Sequence, residues 1–226
     1  MHTWLRFWFG NSCRLCHSEL LPHESGICIA CKGLLPFAWL NDRIHIPAQA
    51  TTQPLDFQVR SWLLFSEQNA VRQLIHRIKY KSDSSLAYDL GQAMGQDLGS
   101  IPGISIPELW LPVPLHPKRF RMRGYNQSEA LAQGLQSVLG GLVEPRLLIR
   151  DKHSESQTKN SRNSRIGNVA HAFSYQPNLL PNRLTRIGLV DDVITTGSTL
   201  KACCTTLHSA GLSNIQAWTL GCSGWL

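Results

Sequence analysis

The stretch "RIGLVDDVITTGSTL", residues 186 to 200, constrains this chain more than any other. An apolar run ends on two adjacent aspartates, a hydroxyl-rich turn with one glycine follows, and "STLKACCTTLHSAG" then has the pattern of a helix closed by a glycine. Two carboxylates side by side at the end of a buried strand repel one another unless a cation or a polar ligand meets them. In open α/β sheets ligands bind beyond the carboxyl ends of the strands, so the acids stand where a ligand would be. The free N–H groups of the helix start favour an anion, phosphate above all. Phosphate in the turn and a polyol on the carboxylates are both met by one molecule, a ribose 5-phosphate. The plainer alternative is an N-cap aspartate beside a surface aspartate.

The rest of the chain supports the α/β reading. "VRSWLLF" (59–65), "LWLPVPL" (109–115), "RLLIR" (146–150), "RIGLVDDV" (186–193) and "IQAWTLGC" (215–222) read as strands. Between them, Val71, Leu74, Ile75 and Ile78 share one helical face, with Ser66 as the expected N-cap. A second helix is expected from about Ser84 to Leu98 with Leu86, Leu90 and Met94 inward, and a third from Gln127 to about Leu139, stopped by Gly140 and Gly141. Strands alternating with helices predict a parallel, doubly wound sheet. Three units are expected: a cysteine module at 1–33, a proline-bearing linker at 34–58 packed on the main domain, and the main domain at 59–226.

Charge is unevenly placed. The net charge is +7, and the segment from Lys118 to Arg165 holds ten lysines and arginines against four acids. Such a concentration suits an anionic partner, phosphorylated small molecule or nucleic acid, although a solvated basic face is the commoner cause. "HPKRFRMRGYNQ" reads as a loop past a strand end, carrying Lys118, Arg119, Arg121, Arg123 and Gly124. "QTKNSRNSRIGNVAHAF" carries Gln157, Lys159, Arg162, Arg165 and Asn168 and has the makings of a basic flap that closes over a polyphosphate. Tyr125, between glycine and asparagine in the basic loop, is the candidate for stacking on a base.

Cys13 and Cys16, then eleven residues, then Cys28 and Cys31 make two CxxC knuckles. Four thiolates complete a tetrahedron and leave no open position, so one structural Zn²⁺ is expected, with a redox pair the weaker alternative. Cys203, Cys204 and Cys222 read as buried small hydrophobes. "MHTWLRFWFG" lacks a long apolar region and cleavage site, so no signal peptide is expected. Its Trp4, Phe7, Trp8 and Phe9 suit packing on the cysteine module or contact with a membrane surface or partner. No apolar run reaches bilayer length, and the cysteine usage fits a reducing compartment, so a cytoplasmic, non-transmembrane protein is expected.

"IGLVDDVITTGST" resembles the type I phosphoribosyltransferase signature. With the cysteine knuckles, "LIHRIKY", "LPVPLHPKRFRMRGYNQ" and the 157–173 segment, the chain resembles the ComF/GntX family over nearly its whole length. The resemblance implies a type I phosphoribosyltransferase-like domain behind a zinc-binding region, in a protein tied to natural transformation and handling of incoming single-stranded DNA. It implies that Asp191 and Asp192 hold the ribose hydroxyls of phosphoribosyl pyrophosphate (PRPP) with Mg²⁺. Thr195, Thr196, Gly197, Ser198 and Thr199 would cradle its 5′-phosphate. Arg119, Arg123 and Gly124 would form the pyrophosphate loop, and Gln157, Lys159 and Arg165 the flap. Many relatives carry further CxxC pairs in the region of residues 34–58, where this chain has none. Three readings stand: a protein binding PRPP and single-stranded DNA, alongside other DNA-uptake proteins; a working transferase in which Asp191 and Asp192 are catalytic and the nitrogen acceptor is unidentified; or a PRPP-sensing regulator.

Overall fold

The computed structural model describes residues 12–38, 57–150, 172–180 and 186–223. In chain order its elements are α1 (Ile29–Gly33), β1 (Gln58–Leu64), α2 (Ala70–Tyr80), α3 (Ser84–Gly99), β2 (Leu109–Pro112), α4 (Pro117–Arg123), α5 (Gln127–Leu139), β3 (Leu142–Val143), β4 (Leu148–Arg150), β5 (Phe173–Tyr175), β6 (Ile187–Ile194), α6 (Ser198–Ser209) and β7 (Ile215–Cys222). A short 3₁₀ turn spans Pro177–Leu179.

Five strands form one parallel sheet in the order β1-β7-β6-β2-β3, and β4 and β5 pair antiparallel beside it. This is the α/β class expected, with helices on both faces. Side chains alternate across the sheet. Trp110, Val190 and Trp218 face α2, α3 and α5, whereas Leu109, Leu111, Leu189 and Ala217 face α6 and the β4–β5 pair. Trp110 and Trp218 meet edge to face at 5.2 Å, and both are fully buried. The chain runs from β2 outward to β3 on one side and from β6 outward to β7 on the other. The winding therefore reverses between β2 and β6, and the crevice beyond their carboxyl ends is where such a sheet takes a ligand.

Val71, Leu74, Ile75 and Ile78 are buried as expected, and so are Leu86, Leu90 and Met94. The cap of α2 is a correction: Asn69, not Ser66, is the N-cap residue, and its side-chain amide donates to the Leu64 carbonyl at 2.7 Å. It serves the end of β1 instead of the helix. The basic segment after β2 is a second correction, since residues 117–123 form α4 rather than loop. Its signals are at its ends: His116 caps it through Nδ1, Pro117 occupies the first turn, and Gly124 closes it with φ of 78°. No residue of α4 is buried, so no apolar period marks it.

Helices α3 and α5 cross at two glycines. A Cβ on Gly91 would lie 2.3 Å from the Leu131 carbonyl oxygen, and one on Gly134 would lie 2.2 Å from the Tyr88 carbonyl oxygen. The backbones touch where other helices keep side chains, and α5 is locked in register against α3. The N-terminus of α5 is fixed in turn by Asn126, which accepts from Ser128 N at 3.1 Å and donates to the Val113 carbonyl at 3.1 Å. That bond ties the start of α5 to the end of β2, at the point where the winding reverses.

Candidate functional site

Asp191 and Asp192 sit near the carboxyl end of β6, as the sequence led us to expect. The first turn of α5 meets both. Ser128 Oγ donates to Asp191 Oδ1 at 3.2 Å, and Gln127 Nε2 donates to Asp192 Oδ2 at 2.8 Å. Lys79, from the last turn of α2, reaches Asp192 Oδ1 at 3.0 Å. Gln127 also accepts from Arg123 Nη1 at 2.9 Å. A continuous chain of polar contacts therefore runs from the basic helix α4 through Gln127 to the paired acids.

The two acids differ electrostatically. Asp192 is buried but paired. Burial, followed by the charge of Asp192, pushes the Asp191 carboxyl up to about 7, against the pull of the Asp192 backbone N–H and of Lys79. A cation or a hydroxyl-bearing ligand at this edge would relieve that strain. The pair also offers the hard oxygen donors that Mg²⁺ takes.

The turn after the acids has the expected form. Gly197 is left-handed at φ 73° and precedes Ser198, the first residue of the twelve-residue helix α6. Thr195, Thr196 and Ser198 are exposed and Thr199 is half-buried. Thr196 Oγ1 and Ser198 Oγ lie 3.1 Å apart. The Ser198 N–H already points at Thr196 Oγ1, at 3.5 Å, so the exposed hydroxyls of Thr195, Thr196 and Ser198 are what this turn presents to solvent, one strand end past the diacid.

On α4, Arg119 is exposed, Arg123 is half-buried and Gly124 is its C-cap. Tyr125 does not stand as a stacking platform. Its hydroxyl donates to the Ile78 carbonyl and its half-buried ring packs on the core. Burial first, and then the charge of Asp83, pushes its phenol well above the usual range. Gln157, Lys159 and Arg165 of the expected flap lie outside the described residues, as do Arg162 and Asn168, the aromatic residues Trp4, Phe7, Trp8 and Phe9, and residues 39–56 of the expected linker.

Lys79, Gln127 and Ser128 were missed by sequence reasoning. Lys79 lies one residue past the buried Ile78, at the edge of an apolar face, which is the only signal it gives. Gln127 and Ser128 follow the N-cap asparagine, and their reach into the site depends on the β2–α5 connection being short.

The four N-terminal cysteines come together. Their sulfur atoms all lie within 4.8 Å of one another, with Cys16 and Cys28 at 3.6 Å. Tetrahedral Zn–S bonds of about 2.3 Å place sulfurs about 3.8 Å apart, so the cluster fits such an ion. Backbone N–H groups of Leu15 and Cys28 point at Cys13 Sγ, and that of Cys31 points at Cys28 Sγ, the donors that thiolates accept. Ser18 holds the Cys16 thiol down to about 6, while burial and the neighbouring sulfurs push Cys31 up to about 12. A cation among the sulfurs would offset the crowding that pushes Cys31 up. All seven cysteines are free of disulfides.

This cluster is not a separate body. Cys13, Leu20, Ile27, Cys28 and Leu35 belong to the same buried core as Trp62, Leu90 and Trp218. Lys32 pairs with Asp97 of α3 at 2.8 Å, and Asp97 also accepts from Trp62 Nε1 at 2.9 Å. Arg14 pairs with Asp83, the N-cap of α3, at 3.2 Å. Among the described residues no helix is long and apolar enough to cross a membrane.

The chain is 32% identical over 226 residues to competence protein F of Haemophilus influenzae, covering 94% of this chain and 97% of that protein. It is 31% identical over 219 residues to the DNA utilization protein YhgH of Salmonella typhimurium, covering 92% and 95%. It is 25% identical over 157 residues to competence protein ComFC of Streptococcus pneumoniae, covering 70% and 66%. A solved structure described as the allosteric regulatory enzyme of purine biosynthesis aligns over 60% of this chain and 25% of its own, with a TM-score of 0.42 and 20% identity. No family model matches the chain.

Proposed function

Because the chain belongs to the ComF family of competence and DNA utilization proteins, we propose that it serves DNA uptake and use in the cytoplasm by binding PRPP, or a related ribose phosphate, together with single-stranded DNA. The observation that carries the sugar-phosphate site is the paired Asp191 and Asp192, held by Gln127, Ser128 and Lys79 beside the open N-terminal turn of α6.

In this reading the carboxylates accept hydrogen bonds from the ribose hydroxyls, and the turn from Thr195 to Thr199 donates backbone N–H groups to the 5′-phosphate. Arg119 and Arg123 meet the pyrophosphate, and Gln157, Lys159 and Arg165 close over it. Asp191 and Asp192 would hold Mg²⁺, which would supply positive charge against the pyrophosphate. Zn²⁺ is the metal for the four cysteines, because soft thiolates in a closed tetrahedron select it. Its role is structural.

Calorimetric titration of the metal-loaded protein with PRPP and Mg²⁺ tests the reading. Wild-type binding that weakens at least tenfold in Asp191→Asn/Asp192→Asn supports it. A folded wild type that binds no PRPP refutes the sugar-phosphate site. Pyrophosphate release during the titration, once candidate nitrogen acceptors are added, separates transfer from binding alone.

A further inference from the structure

We propose that the row His76–Tyr80–Arg123–Phe120, where the end of α2 meets α4, exposed at its three rings and half-buried at Arg123, is a stacking platform for the bases of a single-stranded nucleic acid. The inference rests on the DNA reading above and gives it a surface. Tyr80 is 63% exposed and Phe120 is 48% exposed. The fold does not need an aromatic ring at Tyr80 to join these elements, because Ser82 Oγ already donates to the Arg123 carbonyl at 3.0 Å. The Arg123 guanidinium lies 5.7 Å from the centre of the Tyr80 ring, within cation–π range. Its bond to Gln127 holds that plane in place. The His76 ring lies 5.0 Å from Tyr80 on the other turn of α2, tilted by 44°. Phe120 precedes Arg123 by three residues and is therefore its neighbour on the surface of α4.

Successive bases stack on aromatic and guanidinium planes of this kind, while cations beside them take the phosphates. Lys81, Arg119 and Arg121 are exposed next to the row. Among the described residues no carboxylate pairs with any of the three. Unstacked bases are what distinguishes the fitting partner. A duplex offers such a row only its phosphates.

Fluorescence anisotropy with the full-length, metal-loaded protein and a labelled oligothymidylate of about twenty nucleotides tests the platform against a duplex of equal length. Tyr80→Ala and Phe120→Ala are each expected to weaken single-strand binding about tenfold, with the salt dependence unchanged. Tyr80→Phe keeps the ring face and should bind as the wild type does. Both side chains are exposed, so unchanged thermal midpoints are expected and exclude misfolding. The proposal is overturned if both alanine variants bind like the wild type, if the duplex binds as tightly as the single strand, or if the wild type binds neither. Phe120→Ala titrated with PRPP separates the two readings. A stacking loss in a protein that never binds PRPP supports the platform and removes the sugar-phosphate site.

Discussion

Asp191 shows how much of the site's chemistry resides in one carboxyl. Its pKa is raised to about 7 from an ordinary carboxylate value, so the unfolded chain ionises first as pH rises. The stability that the protonated form supports is complete at about pH 4 and is lost as pH climbs through 7. Asp191→Asn keeps an oxygen for Ser128 and the Asp192 N–H but cannot ionise. It should therefore exceed the wild type in stability by roughly 1–3 kcal/mol at pH 8, with the gain gone by about pH 4. Urea midpoints at the two pH values decide this, and an equal gain at both would contradict the burial account. Lys79 behaves oppositely. Lys79→Met leaves the buried Asp192 with Gln127 as its side-chain partner among the described residues, and a loss of about 3 kcal/mol at pH 7 is expected from the same measurement. The acids and the turn were readable because their pattern is local. Lys79 was not, since nothing in its neighbours in sequence states which strand end α2 will face.

At the scale of elements, the longer strands and the four long helices were legible from period and composition, because each buries an apolar face. Helix α4 was read as loop because it buries nothing, and its caps were the only evidence for it. β3 and β5 are two and three residues long, too short to show a period. The α3–α5 crossing yields a prediction that reverses an ordinary expectation. Glycine to alanine inside a helix gains about 1 kcal/mol from propensity. In Gly134→Ala the new Cβ would meet backbone at 2.2 Å, and overpacking of this kind costs about 3 kcal/mol or more, so the clash outweighs the gain. Thermal denaturation should show a lower midpoint. A raised midpoint would mean that the helices separate freely.

Across the whole molecule, the sequence suggested a cysteine module followed by a domain, whereas the packing joins the two through one core. That continuity is long-range and has no local signature. Chelating the zinc proposed for the four cysteines, or Cys16→Ser, should therefore lower the unfolding midpoint of the sheet itself, read from fluorescence of the buried Trp62, Trp110 and Trp218. Calorimetry should show one transition moving downward. Two transitions, with only the smaller one sensitive to chelator, would mark the module as independent.

The paired glycines at the helix crossing also constrain what can replace them. Each excludes a side chain for its own reason, one against Leu131 and the other against Tyr88, so exchanging either position alone meets a clash that the other cannot relieve. The crossing is therefore held by two omissions at once, and neither helix can regain a side chain there while the other stays where it is.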